Sequence, residues 1–332
     1  MAITLVTIFL VEAVIFVNGW TDAPNAIASV VATKTLPYGR AVGLAAVCNL
    51  LGVGVMSLLN ASVADTITSM VNFGGSDPRV SLTALCAAMA AIVLFSVGAW
   101  FFGIPTSESH GLIAALSGAA LAINSTNGIN LNEFYKVLGG MAGSSLAGLG
   151  LGYGLVWLLR PFAGRLGKGF LRRGQLFSAA LMAFVHGAQD GQKFIAVFVI
   201  AELLSKGRYN MGPVSLGDHL LVVLLCSATM ALGTSVGGRR IIEKVGEEMV
   251  PVDLLTGCCS DFAGALCLLG ASLLGVPVST THTKTSAVLG AGLCQAPAKV
   301  KLSVAGEMVT AWLVTFPVCG MIGYLLTRLL LP

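Results

Sequence analysis

Apolar residues run through this chain in blocks broken only rarely by charge. A bilayer core needs about 20 mainly apolar residues per helix. Stretches near 3–18, 41–59, 80–102, 134–159, 218–238, 252–274 and 303–330 approach or exceed that length. Six others, 22–36, 61–73, 106–123, 176–189, 191–204 and 278–295, are too short to span simply and contain Gly, Pro or polar residues. Short interrupted segments among full-length ones are the pattern of discontinuous or re-entrant helices. The chain is therefore expected to be an all-α polytopic membrane protein with ten to twelve membrane segments.

Composition agrees and excludes other classes. Of 332 residues, 56% are hydrophobic and 10% charged, with mean hydropathy +0.88. A soluble domain carries about 25% charged residues, so a soluble enzyme, a disordered chain and a nucleic-acid-binding module are excluded. The 41 glycines suit membrane helices, whose backbones approach closely where side chains are small. The eight cysteines form no C-x-x-C pair and read as buried free thiols. The N-terminus lacks a basic n-region and a clear cleavage site, so it reads as a first membrane helix rather than a signal peptide.

The net charge of +4 matters less than where the basic residues sit. Arg160, Arg165, Lys168, Arg172 and Arg173 fall within 160–175, which holds no acid. By the positive-inside rule this loop is cytoplasmic, and Arg239, Arg240 and Lys244 form a second such cluster. The loop divides the chain into a first membrane repeat at 1–159 and a second at 176–332.

The two parts match each other. GIPTSESH at 103–110 aligns with GVPVSTTH at 275–282, and the match continues through Ala115/Ala287 and Gly118/Gly290 at an offset of 172. NGWTDAPNAIA at 18–28 aligns with HGAQDGQKFIA at 186–196 at an offset of 168, pairing Asp22 with Asp190. Two motifs in the same order at nearly the same spacing indicate an internal duplication.

These motifs carry the candidate chemistry. A carboxylate among apolar residues costs about 2.5–3.5 kcal/mol on insertion scales, so Asp22 and Asp190 are expected to be paired or functional. Asp22 and Asn25 are three residues apart and share a helix face. Together they offer oxygens that suit sodium, and a carboxylate can alternatively carry a proton. Asp190 and Lys193 have the same spacing and can neutralise each other. The repeated P-x-S-x-[ST]-H places proline and hydroxyls at a helix start, where free N–H groups and the dipole bind anions. Thr106, Ser107 and Ser109, with Ser279, Thr280 and Thr281, are the candidate anion ligands. His110 and His282 occupy equivalent positions and are candidates for a proton relay, with Glu108 beside the first. Glu12 and Asp261 are further acids in apolar runs.

At these residues the sequence resembles the inorganic phosphate transporter family. GWTDAPNA and HGAQDGQK are similar to its duplicated G-A-N-D-x-x-N-A and H-G-A-N-D-x-Q-K signatures; LGTSVGGRRIIEKVG at 232–246 is similar too. The resemblance implies two inverted repeats, often in a homodimer, in a bacterial plasma membrane. It also implies symport of phosphate with Na+ or H+ and no other cofactor, with sulfate the alternative because the family includes sulfate permeases. Thr21 and Gln189 stand where the family has Asn, Pro24 replaces a small residue, and Glu108 replaces Ser or Thr. Thr21 and Gln189 still supply oxygens, so the coupling-ion set becomes Thr21, Asp22, Asn25, Gln189, Asp190 and Gln192. A passive anion channel is the rival of another class. A membrane enzyme is disfavoured, because no nucleophile–base–orienter set is present.

Overall fold

The computed structural model describes residues 2–74, 77–104, 106–208, 219–236, 239, 242 and 249–331. Among these residues the chain is helical, in the order α1 (Ala2–Thr21), α2 (Ala28–Ala32), α3 (Tyr38–Leu59), α4 (Ser62–Met70), α5 (Pro78–Phe101) and α6 (Glu108–Asn124). There follow α7 (Leu131–Leu159), α8 (Ala163–Ser205), α9 (Leu220–Val236), α10 (Leu254–Leu273), α11 (Thr280–Gln295) and α12 (Leu302–Leu330). Among the described residues, six candidate spans are long and apolar enough to cross a membrane. The expected re-entrant segments at 22–36 and 61–73 are the short helices α2 and α4. Pro105, Arg240 and Lys244 lie outside the described residues, as does most of 237–246.

One difference from the sequence pattern concerns the second repeat. The stretches 176–189 and 191–204 look like separate short segments, but they form one continuous helix within α8. α8 begins within the basic region and bends at Gly167, whose φ of 66° is a left-handed value that favours glycine. The matching place in the first repeat does break: α1 stops at Thr21 and a 3₁₀ turn occupies Ala23–Ile27. Pro24 is the cause, because it donates no hydrogen bond and its ring clashes with the preceding turn. Gln192 holds the matching position in α8 and keeps its N–H, so the helix continues.

Helices pack reciprocally across the two halves. α7 lies on α11, and their counterparts α12 and α6 lie on each other; α3 lies on α8, and α9 on α1. Glycines make these approaches possible. A Cβ on Gly118 would collide with the Gly320 carbonyl oxygen, and one on the equivalent Gly290 with that of Leu149. A Cβ on Gly233 would collide with the Phe16 carbonyl, and one on Gly52 with that of Phe184, which lies 168 residues after Phe16.

The radial distribution of polarity is that of a protein in lipid. Leu221 is 80% exposed and Leu329 78%, whereas Lys193, Asp190, Asp261 and Lys284 are all at 0%. Polar side chains are gathered where neighbouring helices can satisfy them and apolar ones face outward.

Candidate functional site

The duplicated motifs converge at the centre of the molecule. Helices α6 and α11 begin there, capped by Ser107 and Ser279, whose hydroxyls accept from the His110 and His282 backbone N–H at 3.2 and 3.1 Å. The two caps touch, with 2.7 Å between their Oγ atoms. Two positive helix ends therefore meet at one point, joined by a pair of hydroxyls.

The aspartates approach the same point from α1 and α8. Thr280 Oγ1 lies 3.2 Å from Asp190 Oδ2 and 3.5 Å from Asp22 Oδ2, bridging the two repeats. Asp22, His186 and Asp190 each place a ligand atom within 4.8 Å of the other two, a spacing that suits one small cation.

The two carboxylates are satisfied very differently. Asp190 takes Lys193 Nζ at 2.7 Å and Asn18 Nδ2 at 3.1 Å, with His186 Nε2 at 3.4 Å. Asp22 takes Asn25 Nδ2 at 3.0 Å and the distant Thr280 hydroxyl. Among the described residues no cation bonds to Asp22, although it is only 1% exposed. A third carboxylate, Glu108, is equally buried and accepts the hydroxyls of Thr21 at 3.0 Å and Ser96 at 2.7 Å. Three buried acids thus lie near one another, and of these the Lys193 ammonium bonds Asp190. Buried charge in excess of its partners is costly.

Oxygens able to hold a cation are present. Asn25 Oδ1, Asn18 Oδ1 and both polar atoms of Gln192 are buried without a hydrogen-bond partner. Rotating the Asn25 amide would turn Oδ1 toward Asp22 and toward Thr281 Oγ1, which now sits 2.9 Å from Nδ2. Carboxylate, amide and hydroxyl oxygens together form a set that suits a hard cation.

Not every expected residue joins the cluster. Thr106 is half-buried and lines a cavity of about 760 Å³ with Leu94, Phe102 and Met308. Gln189 turns away to donate to Ser272 Oγ and the Val276 carbonyl at 3.1 and 3.3 Å. His110 and His282 pack edge-on at 4.3 Å, and His282 stacks on Trp312 at 3.9 Å. Their rings make no hydrogen bond to either aspartate among the described residues. Sequence reasoning missed Ser96, which has no motif around it. It also missed a second buried ion pair, Lys284 with Asp261, where Ser29 donates to both carboxylate oxygens at 2.7 Å. A lysine inside an apolar helix was the available signal for that pair.

The chain is similar to known transporters over its whole length. It matches the profile of the Phosphate transporter family over residues 18–171 and 163–323. A probable low-affinity inorganic phosphate transporter of Bacillus subtilis is 32% identical, with 97% of this chain and 95% of the relative covered. One from Rhizobium meliloti is 35% identical over 93% of this chain and 91% of the relative. A solved structure described as the sodium-dependent phosphate transporter superposes with a TM-score of 0.89 at 20% identity, covering 99% of both chains.

Proposed function

The chain belongs to the phosphate transporter family, and from that premise we propose that it imports inorganic phosphate by symport with a cation bound at Asp22. The observation that carries the coupling is the Asp22 carboxylate, buried beside the meeting helix ends with no cation bonded to it among the described residues. A cation entering with phosphate would offset that charge and the charge of the anion together. The hydroxyls of Ser107, Ser109, Ser279, Thr280 and Thr281 and the free N–H groups of α6 and α11 would hold the phosphate. No arginine is needed in this arrangement, because helix ends and hydroxyls supply the donors.

The reciprocal helix packing supports a pair of inverted repeats that rock about this shared centre, exposing it to each side in turn. The relatives are bacterial, which favours the plasma membrane. The solved neighbour is described as sodium-dependent, which makes sodium the first cation to test.

Purified protein in proteoliposomes distinguishes the readings. Labelled phosphate is expected to accumulate against its gradient when sodium or protons are driven inward, and labelled sulfate is not. Accumulation of sulfate alone would identify the wrong anion; flux that only follows the anion's own gradient would identify a channel. A finer test addresses the helix caps. Ser107→Ala and Ser279→Ala are each expected to raise KM for phosphate about tenfold, the value of one lost hydrogen bond to a charged group. Unchanged KM in both variants would move the anion site elsewhere.

A further inference from the structure

Asn25 and Lys193 are equivalent residues at the repeat offset of 168, and their polar nitrogens have matching surroundings. Asn25 Nδ2 contacts Asp22 Oδ1 at 3.0 Å and Thr281 Oγ1 at 2.9 Å. Lys193 Nζ contacts Asp190 Oδ1 at 2.7 Å and Ser109 Oγ at 2.7 Å. Thr281 and Ser109 are themselves equivalent, at the other offset of 172. The carbonyl oxygen of Val278 completes the second set at 2.5 Å from Nζ. An ammonium has three donors and here meets a carboxylate, a hydroxyl and a carbonyl. Those are the oxygen types that would surround a bound metal cation at the same spot.

We propose that Lys193 is a tethered cation that permanently fills the second repeat's ion position, so that only the first, at Asp22 and Asn25, exchanges ions. The inference rests on the symport reading of Asp22 but concerns the number of exchangeable cations rather than the cargo. Lys193 is wholly buried and anchored three residues from Asp190 on α8, an uninterrupted helix in this region. The ammonium therefore cannot leave with the substrate as a free ion would. The first repeat, with an uncharged amide at the same place, keeps its position open. One duplicated ion site has become structural while its twin remains exchangeable.

Equilibrium binding of radioactive sodium to the purified full chain in detergent tests this. The native protein is expected to bind one sodium per chain, and Lys193→Asn, which copies the first repeat, is expected to bind two. A count rising from zero to one would uphold the tethered cation while refuting sodium at Asp22. Equal counts in native protein and a monodisperse Lys193→Asn would overturn the inference. Should that variant fail to fold, the exchange Asn25→Lys with Lys193→Asn preserves total charge. It is expected to bind as many sodium ions as the native chain, and a lower count in folded protein would overturn the inference. Phosphate uptake by the same preparations is measured separately. Its absence in native protein with the sodium counts as expected would refute transport alone.

Discussion

Asp22→Asn is expected to lower coupled phosphate uptake at least 100-fold while leaving expression and monodispersity intact. The change is nearly isosteric and removes one negative charge from a site that already holds Asp190 and Glu108. Losing one member of a buried charge interaction costs about 3 kcal/mol, which at about 1.4 kcal/mol per decade corresponds to about 100-fold. Folding should respond in the opposite direction. Asp22 has no bonded cation among the described residues, so neutralising it removes a desolvation cost without orphaning a partner. The melting temperature in detergent is therefore expected to hold or rise as uptake collapses. A fall in both together would make Asp22 a structural residue, and undiminished uptake would refute its coupling role. The contrasting case is Asp190, where neutralisation leaves Lys193 buried and unpaired, so a loss of uptake there would not separate function from folding.

The contrast between these two aspartates marks how far the sequence could be read. The long apolar blocks and the duplicated motifs were legible, because both are local patterns repeated along one chain. The break after Thr21 was legible through Pro24, and Gln192 in place of proline could have foretold that α8 runs on. Polar letters at 189–193 suggested an interruption instead; the spacing of Asp190 and Lys193 already allowed them to pair, but did not show that the helix would run on through the pair. The serines at 107 and 279 were readable as caps, but their contact with each other needed the packing of α6 beside α11. Thr106 precedes the cap and lines a separate cavity with Leu94 and Phe102, which the shared motif could not distinguish from the hydroxyls at the centre. Ser96 reaches Glu108 from α5, a pairing between elements that no spacing rule encodes.

The same reasoning predicts the largest stability effect for a pair outside the duplicated motifs. Lys284→Met is expected to destabilise the folded protein by about 3–5 kcal/mol, the usual cost of breaking a buried ion pair from one side. Lys284 and Asp261 are both at 0% exposure, and the neutral hydroxyls of Ser29, Ser178 and Ser260 accompany them. Without the ammonium, the carboxylate would remain in a site closed to water. The double variant Lys284→Met with Asp261→Leu removes both charges and is expected to recover most of the loss, since well-packed apolar groups can replace a buried pair at little cost. Unfolding in mixed denaturing and mild detergents would measure the cycle. A double variant as unstable as the single would show that the cost is one of packing rather than unpaired charge. Uptake by the double variant then decides what the pair is for. The counterparts of Lys284 and Asp261 in the first repeat are Leu112 and Met89, so the duplicated core can be built without the pair. Full uptake from the refolded double variant is therefore expected, with the pair acting as a lock between α10 and α11. A stable but inactive protein would instead place Asp261 among the residues that transport requires.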